Sequence, residues 1–158
     1  MKQWPLLPIL PFLFLSGCAT QQQPEKHAKA SGVTLRVRTT AYTHTERGGC
    51  NNAIGCRLSC GKVSSASADW SRYPLGTKFQ ILNTGEVFKI DDYGGALVGT
   101  NTIDLYKTTR LKMRKWGVRW VDIRILEWGS AQKSLKVLKP RARKHRVRVM
   151  FDSLNASG

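Results

Sequence analysis

The chain has 158 residues, 26 of them Lys or Arg against 10 Asp and Glu, for a formal net charge of +16. That length supports one core with tails and excludes a string of domains. The charge excludes a neutral surface, so partners are expected to be anionic, with their identity set by the compartment.

The N-terminus identifies that compartment. Met1-Lys2-Gln3 is a short basic start, and an apolar run from Trp4 to Leu15 follows, broken by Pro5, Pro8 and Pro11. It is too short to cross a bilayer as a stable helix, and its prolines oppose a lasting one. Residues 1–17 therefore read as a secretory signal. Leu15-Ser16-Gly17-Cys18 resembles the bacterial lipoprotein box, in which the cysteine is lipidated and becomes the new N-terminus. Several acyl chains on one residue hold firmly, at about 0.8 kcal/mol per buried CH₂. The alternative is a soluble secreted protein with an incidental Cys18. Ala19 resembles the residue after the cysteine in lipoproteins sorted to the outer membrane, so a periplasmic-face anchor is expected. Residues 18–32 then hold the lipidated cysteine and a polar tether. An envelope location removes nucleic acid as a partner and leaves lipid head groups, lipopolysaccharide phosphates and peptidoglycan-stem carboxylates.

From Val33 to Tyr42 apolar and polar residues alternate, the period of a half-buried strand. Thr43 to Gly61 is loop-like and holds Cys50, Cys56 and Cys60. In an oxidising compartment these are disulfide candidates, but three cysteines leave one over and permit three pairings. Zinc held by His44 and the three thiolates is the other reading. The C-x5-C-x3-C spacing lacks a C-x2-C knuckle and weighs against it, so no metal or cofactor is expected. Val63 to Ala68 is a small, polar lead-in, and Pro74-Leu75-Gly76-Thr77 is a tight crossing. Lys78 to Leu82 and Glu86 to Ile90 form a hairpin about Asn83-Thr84-Gly85. A second strand–turn–strand passage follows, in which Asp91-Asp92 end an apolar run, Gly94-Gly95 permit a φ > 0 turn, and Asp104 sits in Ile103-Asp104-Leu105-Tyr106. Thr108 caps a short helix that Gly117 ends, and Val118 to Leu126 alternates again. Many short strands with one short helix predict a mainly β protein, a small closed barrel over residues 33–129.

Residues 130–158 form a basic tail. Eight Lys and Arg fall between Lys133 and Arg148, with no acid among them and Pro140 in their midst. A flexible, solvated tail is expected; the functional alternative is a clamp on an anionic envelope surface. Arg146 to Phe151 alternates and suggests a late strand.

Several of these pieces occur together in one family. Thr40-Ala41-Tyr42-Thr43, Asp69 ahead of Pro74-Leu75-Gly76-Thr77, Asp92-Tyr93-Gly94-Gly95-Ala96-Leu97-Val98-Gly99, Ile103-Asp104-Leu105-Tyr106 and Trp116-Gly117 resemble the three-aspartate (3D) domain. That domain is similar to the catalytic double-psi β-barrel of the membrane-bound lytic transglycosylase A family. It is similar as well to wall-active domains of resuscitation and stationary-phase survival proteins. The resemblance implies a six-stranded double-psi barrel acting on peptidoglycan glycan strands. Asp69, Asp92 and Asp104 would be its three aspartates, with Asp104 as acid and Asp92 as the neighbouring carboxylate that keeps it protonated. Asp69 would orient a turn or bind sugar hydroxyls, and Asp91 would face solvent. Gly94 and Gly95 would let a glycan approach, while Trp70, Tyr93 and Tyr106 would stack on sugar rings. Two departures stand out: Trp70 follows Asp69 where proline is usual, and Leu97-Val98 replaces Ile-Lys. The chain also lacks room for the second domain that completes the transglycosylase groove. A non-catalytic wall-binding lipoprotein is the competing expectation.

Overall fold

In the computed structural model, residues 32–46 and 48–156 are described, so the expected signal segment, Cys18 and nearly all of the tether lie outside the described residues. The alternating segments become β1 (Thr34–Tyr42), β3 (Lys78–Ile81), β4 (Val87–Asp92), β5 (Thr102–Tyr106) and β6 (Arg119–Glu127), joined by a shorter β2 (Ser64–Ser67). They close in the order β1-β5-β2-β4-β3-β6, with β6 pairing back onto β1. The β1·β5 and β2·β4 pairs are parallel and the other four antiparallel. Closure leaves no long edge open to another chain.

Every second side chain points inward. Val37, Phe79, Ile81, Phe88, Ile90, Ile103, Leu105 and Ile123 are fully buried. Burying each one contributes about 1.5–3 kcal/mol. Phe79 and Phe88 stack with ring centroids 5.7 Å apart. β2 was unexpected as a strand because Ser-Ser-Ala-Ser has weak β propensity. Its four residues are nevertheless all buried, pinned between β4 and β5. Small side chains suit a strand covered on both faces.

The expectation of a single helix is corrected to three α-helices among the described residues. α1 (Arg110–Trp116) is capped by Thr109, one residue later than expected, whose hydroxyl accepts from Lys112 N at 3.2 Å. Gly117 ends it at φ 64°. The basic segment, expected to be flexible, folds as α2 (Ala131–Leu138), a 3-10 turn at Lys139–Arg141, and α3 (His145–Ala156). Residues 146–151, expected as a strand, lie inside α3. The reason is spacing: Val147, Met150 and Leu154 fall three and four residues apart, share one helical face, and are buried in the same cluster as the barrel core. Lys136, Arg143, Lys144, Arg146 and Arg148 stay exposed. Among the described residues no helix is long and apolar enough to cross a membrane.

A tight seam joins barrel and helices. A methyl group on Gly129 would overlap the carbonyl oxygens of Pro74 and Leu75, so only glycine lets these backbones cross. Gly129 N donates to Thr77 Oγ1 (3.0 Å), Ser130 N to Leu75 O (3.0 Å), and Leu75 N to Ser134 Oγ (2.9 Å). The φ > 0 turn expected at Gly94-Gly95 falls instead at Gly99, with φ 81°. Gly94 is extended at φ −120°, and Gly95 opens a 3-10 turn ending at Leu97.

Candidate functional site

Register across four neighbouring strands sets out the site. Thr40 of β1 pairs with Asp104 of β5, Asp104 with Ser67 of β2, and Ser67 with Asp92 of β4. Inward neighbours such as Ile103, Leu105 and Ile90 are sealed, so the row lies on the outer wall, where Asp104 and Asp92 are half-buried. A bulge between Ala66 and Ser67 brings Asp92 opposite Ser67. Without that bulge the alternation of β4 would send the Asp92 side chain inward.

Thr40 Oγ1 donates to Asp104 Oδ1 at 2.6 Å. Burial raises the Asp104 pKa above the ordinary aspartate range, the Thr40 hydrogen bond opposes this, and the charge of Glu46 adds to the rise. The neighbouring charge is thus Glu46 and not Asp92. Asp92 stands one strand beyond Ser67, roughly 10 Å from Asp104 at two strand spacings. Burial carries Asp92 itself up to about 6; the N–H groups of Tyr93 and Ala53 and the charge of Arg141 hold it down, while Asp91 pushes it further up.

Asp91 and Trp70 change role, and Asp69 takes the turn-orienting one of its expected roles. Asp91, expected in solvent, is 4% exposed; its Oδ2 accepts from Ser65 Oγ at 2.8 Å, and burial raises its pKa while Ser65 and Asn52 hold it down. Asp69 is 2% exposed and fully engaged: Oδ1 accepts from Ser71 N and Oγ, and Oδ2 from Gly99 N at 2.7 Å. It pins the left-handed Gly99 turn and leaves no oxygen for catalysis. Trp70 is sealed in the core, its Nε1 donating to Asp92 O at 2.8 Å, and Tyr93 meets its ring edge-on at 5.0 Å. It therefore positions Asp92 and cannot stack on a sugar.

Tyr106 is 6% exposed, with its hydroxyl 3.0 Å from His44 Nδ1. It lines a small cleft of about 80 Å³ with His44, Cys50, Arg57 and Leu58, too small for a hexose ring. Tyr93 and Gly94 are half-buried, and Gly95 is exposed next to Arg146 of α3. Cys50, Cys56 and Cys60 are free and exposed, so the expected disulfide is not formed. Their loop takes its shape from hydrogen bonds instead: Asn52 N to Cys56 O at 2.8 Å, and Cys56 N to Asn52 Oδ1 at 2.9 Å.

Tyr42 was missed. It shares the outer face of β1 with Thr40, and its ring lies 5.6 Å from that of Tyr106. Its buried hydroxyl has no partner among the described residues. Burial first, then the charges of Asp92, Asp91 and Asp104, raise its pKa far above the ordinary phenol value. The phenol is held protonated as an unsatisfied donor among carboxylates, a costly arrangement. The Thr-x-Tyr alternation beside the strand that carries Asp104 was the available signal.

What the row can do chemically is hold and pass protons: two half-exposed carboxyl groups with raised pKa, a hydroxyl on one of them, and a phenol donor nearby. No known family model matches this chain, and no characterised protein matches its sequence.

Proposed function

We propose that this protein is a lipid-anchored envelope protein whose three-aspartate, double-psi type barrel cleaves the glycan strands of peptidoglycan in the manner of a lytic transglycosylase. The observation that carries the reading is Asp104: reachable from the outer wall, hydrogen-bonded by Thr40, and biased toward its protonated form. Two parallel strand pairs within a closed six-stranded sheet support the double-psi reading.

Asp104 would protonate the glycosidic oxygen. The muramyl C6 hydroxyl then attacks the anomeric carbon, Asp104 takes up its proton, and a 1,6-anhydro sugar leaves without water being consumed. Hydrolytic glycosidases that retain configuration place two carboxyl groups about 5–5.5 Å apart. Asp92, one strand removed at roughly 10 Å, is too distant for that partnership and suits a mechanism that needs one acid/base group. The intramolecular nucleophile supplies the effective molarity. Asp92 would tune the local field.

A second reading is favoured by the structural engagement of Asp69 and Trp70, two of the residues expected at the site. In it the barrel grips wall glycan without cutting. Digestion of purified sacculi, with products resolved by mass spectrometry, separates the two. Anhydro-muropeptides that disappear in Asp104→Asn support cleavage; their absence from the wild-type digest leaves the binding protein.

A further inference from the structure

Where α1 meets the barrel a pocket of about 350 Å³ opens, lined by Glu86, Lys107, Lys112, Lys115, Trp116 and Arg119. Four cations face one carboxylate. Glu86 is already paired with Lys107 Nζ at 2.8 Å. Lys107 is 9% exposed, its ammonium 4.7 Å from the centre of the Trp116 ring and 5.1 Å from that of Phe88. Arg119 lies 4.4 Å over the same indole and donates to the carbonyl oxygens of Trp116 and Lys115. Its guanidinium is held in place but, among the described residues, neutralised by no carboxylate. Among the described residues Lys112 and Lys115 have no carboxylate within ion-pair distance either.

Two cations fixed on an aromatic floor and two at the rim of a concave, partly desolvated space create a positive potential that the protein does not cancel. Such a pocket selects a small anion. A bilayer is a plane and does not enter a concavity of this size.

Position narrows the ligand. Lys107 follows Asp104 by three residues, past the end of β5 and on its opposite face, so a ligand that meets both must turn over the rim of the barrel. A muramyl sugar at Asp104 carries a peptide stem, and four extended residues of it reach about 13–14 Å, enough to make that turn. We propose that the pocket is a carboxylate site that takes the peptide stem of the glycan strand lying at Asp104, an assignment that rests on the wall-active reading above.

The test titrates the full-length mature chain with the free stem tetrapeptide, with the same peptide amidated at its carboxylates, and with phosphatidylglycerol vesicles. The free peptide is expected to bind, the amidated one at least tenfold more weakly. The Lys112→Gln, Lys115→Gln double variant, altered only at exposed side chains, is expected to lose about tenfold for the free peptide. Asp104→Asn is expected to bind it as the wild type does. Lysine-dependent peptide binding by a protein that fails to cut sacculi would leave this site standing while the catalytic reading falls. Equal binding of free and amidated peptides, or no loss in the double variant, overturns the proposal. So does lysine-dependent binding of vesicles without peptide binding, which would make this a lipid head-group site.

Discussion

The carboxylate row and the cationic pocket lie a few residues apart along β5 and treat charge in opposite ways. In the pocket, Lys107 keeps its charge at 9% exposure because two aromatic faces and Glu86 replace its water. In and beside the row, among the described residues no cation is bonded to Asp91, Asp92 or Asp104, and burial raises the pKa of all three. The difference separates what supports the fold from what is kept available for chemistry. Satisfied charge stabilises; strained charge is ready to gain or lose a proton.

The contrast breaks most sharply at Asp104. Asp104→Asn is expected to lower anhydro-muropeptide formation by about 10²–10⁴-fold, the usual worth of a general acid, while the melting temperature stays the same or rises. Lys107→Met comes next. Removing a nearly buried cation from two rings and leaving Glu86 without its partner should cost about 1–2 kcal/mol in urea unfolding, since Glu86 is itself well exposed.

Asp92→Asn should act with the opposite sign. The native carboxyl group holds its proton up to about 6, above the ordinary value near 3.9, so its contribution to stability is complete below the unfolded value and is lost as pH rises through 6. The amide, which keeps the acceptor for Tyr93 N, should stabilise the fold by about 1 kcal/mol at pH 7 and flatten the melting profile between pH 4 and 6. An unchanged profile would mean that Asp92 is already better solvated than its burial suggests. The smallest effect belongs to Thr40→Val. Loss of the hydrogen bond that favours the ionised form should raise the Asp104 pKa further. The alkaline limb of the pH–rate profile should then move upward, at a stability cost of about 1 kcal/mol.

The amino-acid order already disclosed β1, β3, β4, β5 and β6, because period-2 patterning is read directly. It hid β2, since serine and alanine carry no strand signal and their burial comes only from neighbours in the sheet. The helical tail was legible in principle through Val147, Met150 and Leu154. Eight cations and the Arg-Val-Arg-Val alternation obscured that signal. Asp104 and Asp92 could be singled out from their setting, but not the intervening Ser67, because register arises only when strands pair. The exposed position expected for Asp91 failed for the same reason: the bulge that turns Asp92 outward also tucks Asp91 under Ser65. Tyr42 shows a further limit, since an unmet hydroxyl is a property of surroundings and not of a motif.

Arg141 has a consequence that reaches across the molecule. Its guanidinium donates to Ala53 O at 2.8 Å, joining the 3-10 turn after α2 to the cysteine loop, whose Ala53 N–H steadies Asp92. A protease that nicked the exposed basic stretch around Arg143 and Lys144 would sever covalent continuity far from β4 in sequence. The injury would nonetheless be felt at Asp92, as a loosened cover and an altered acidity.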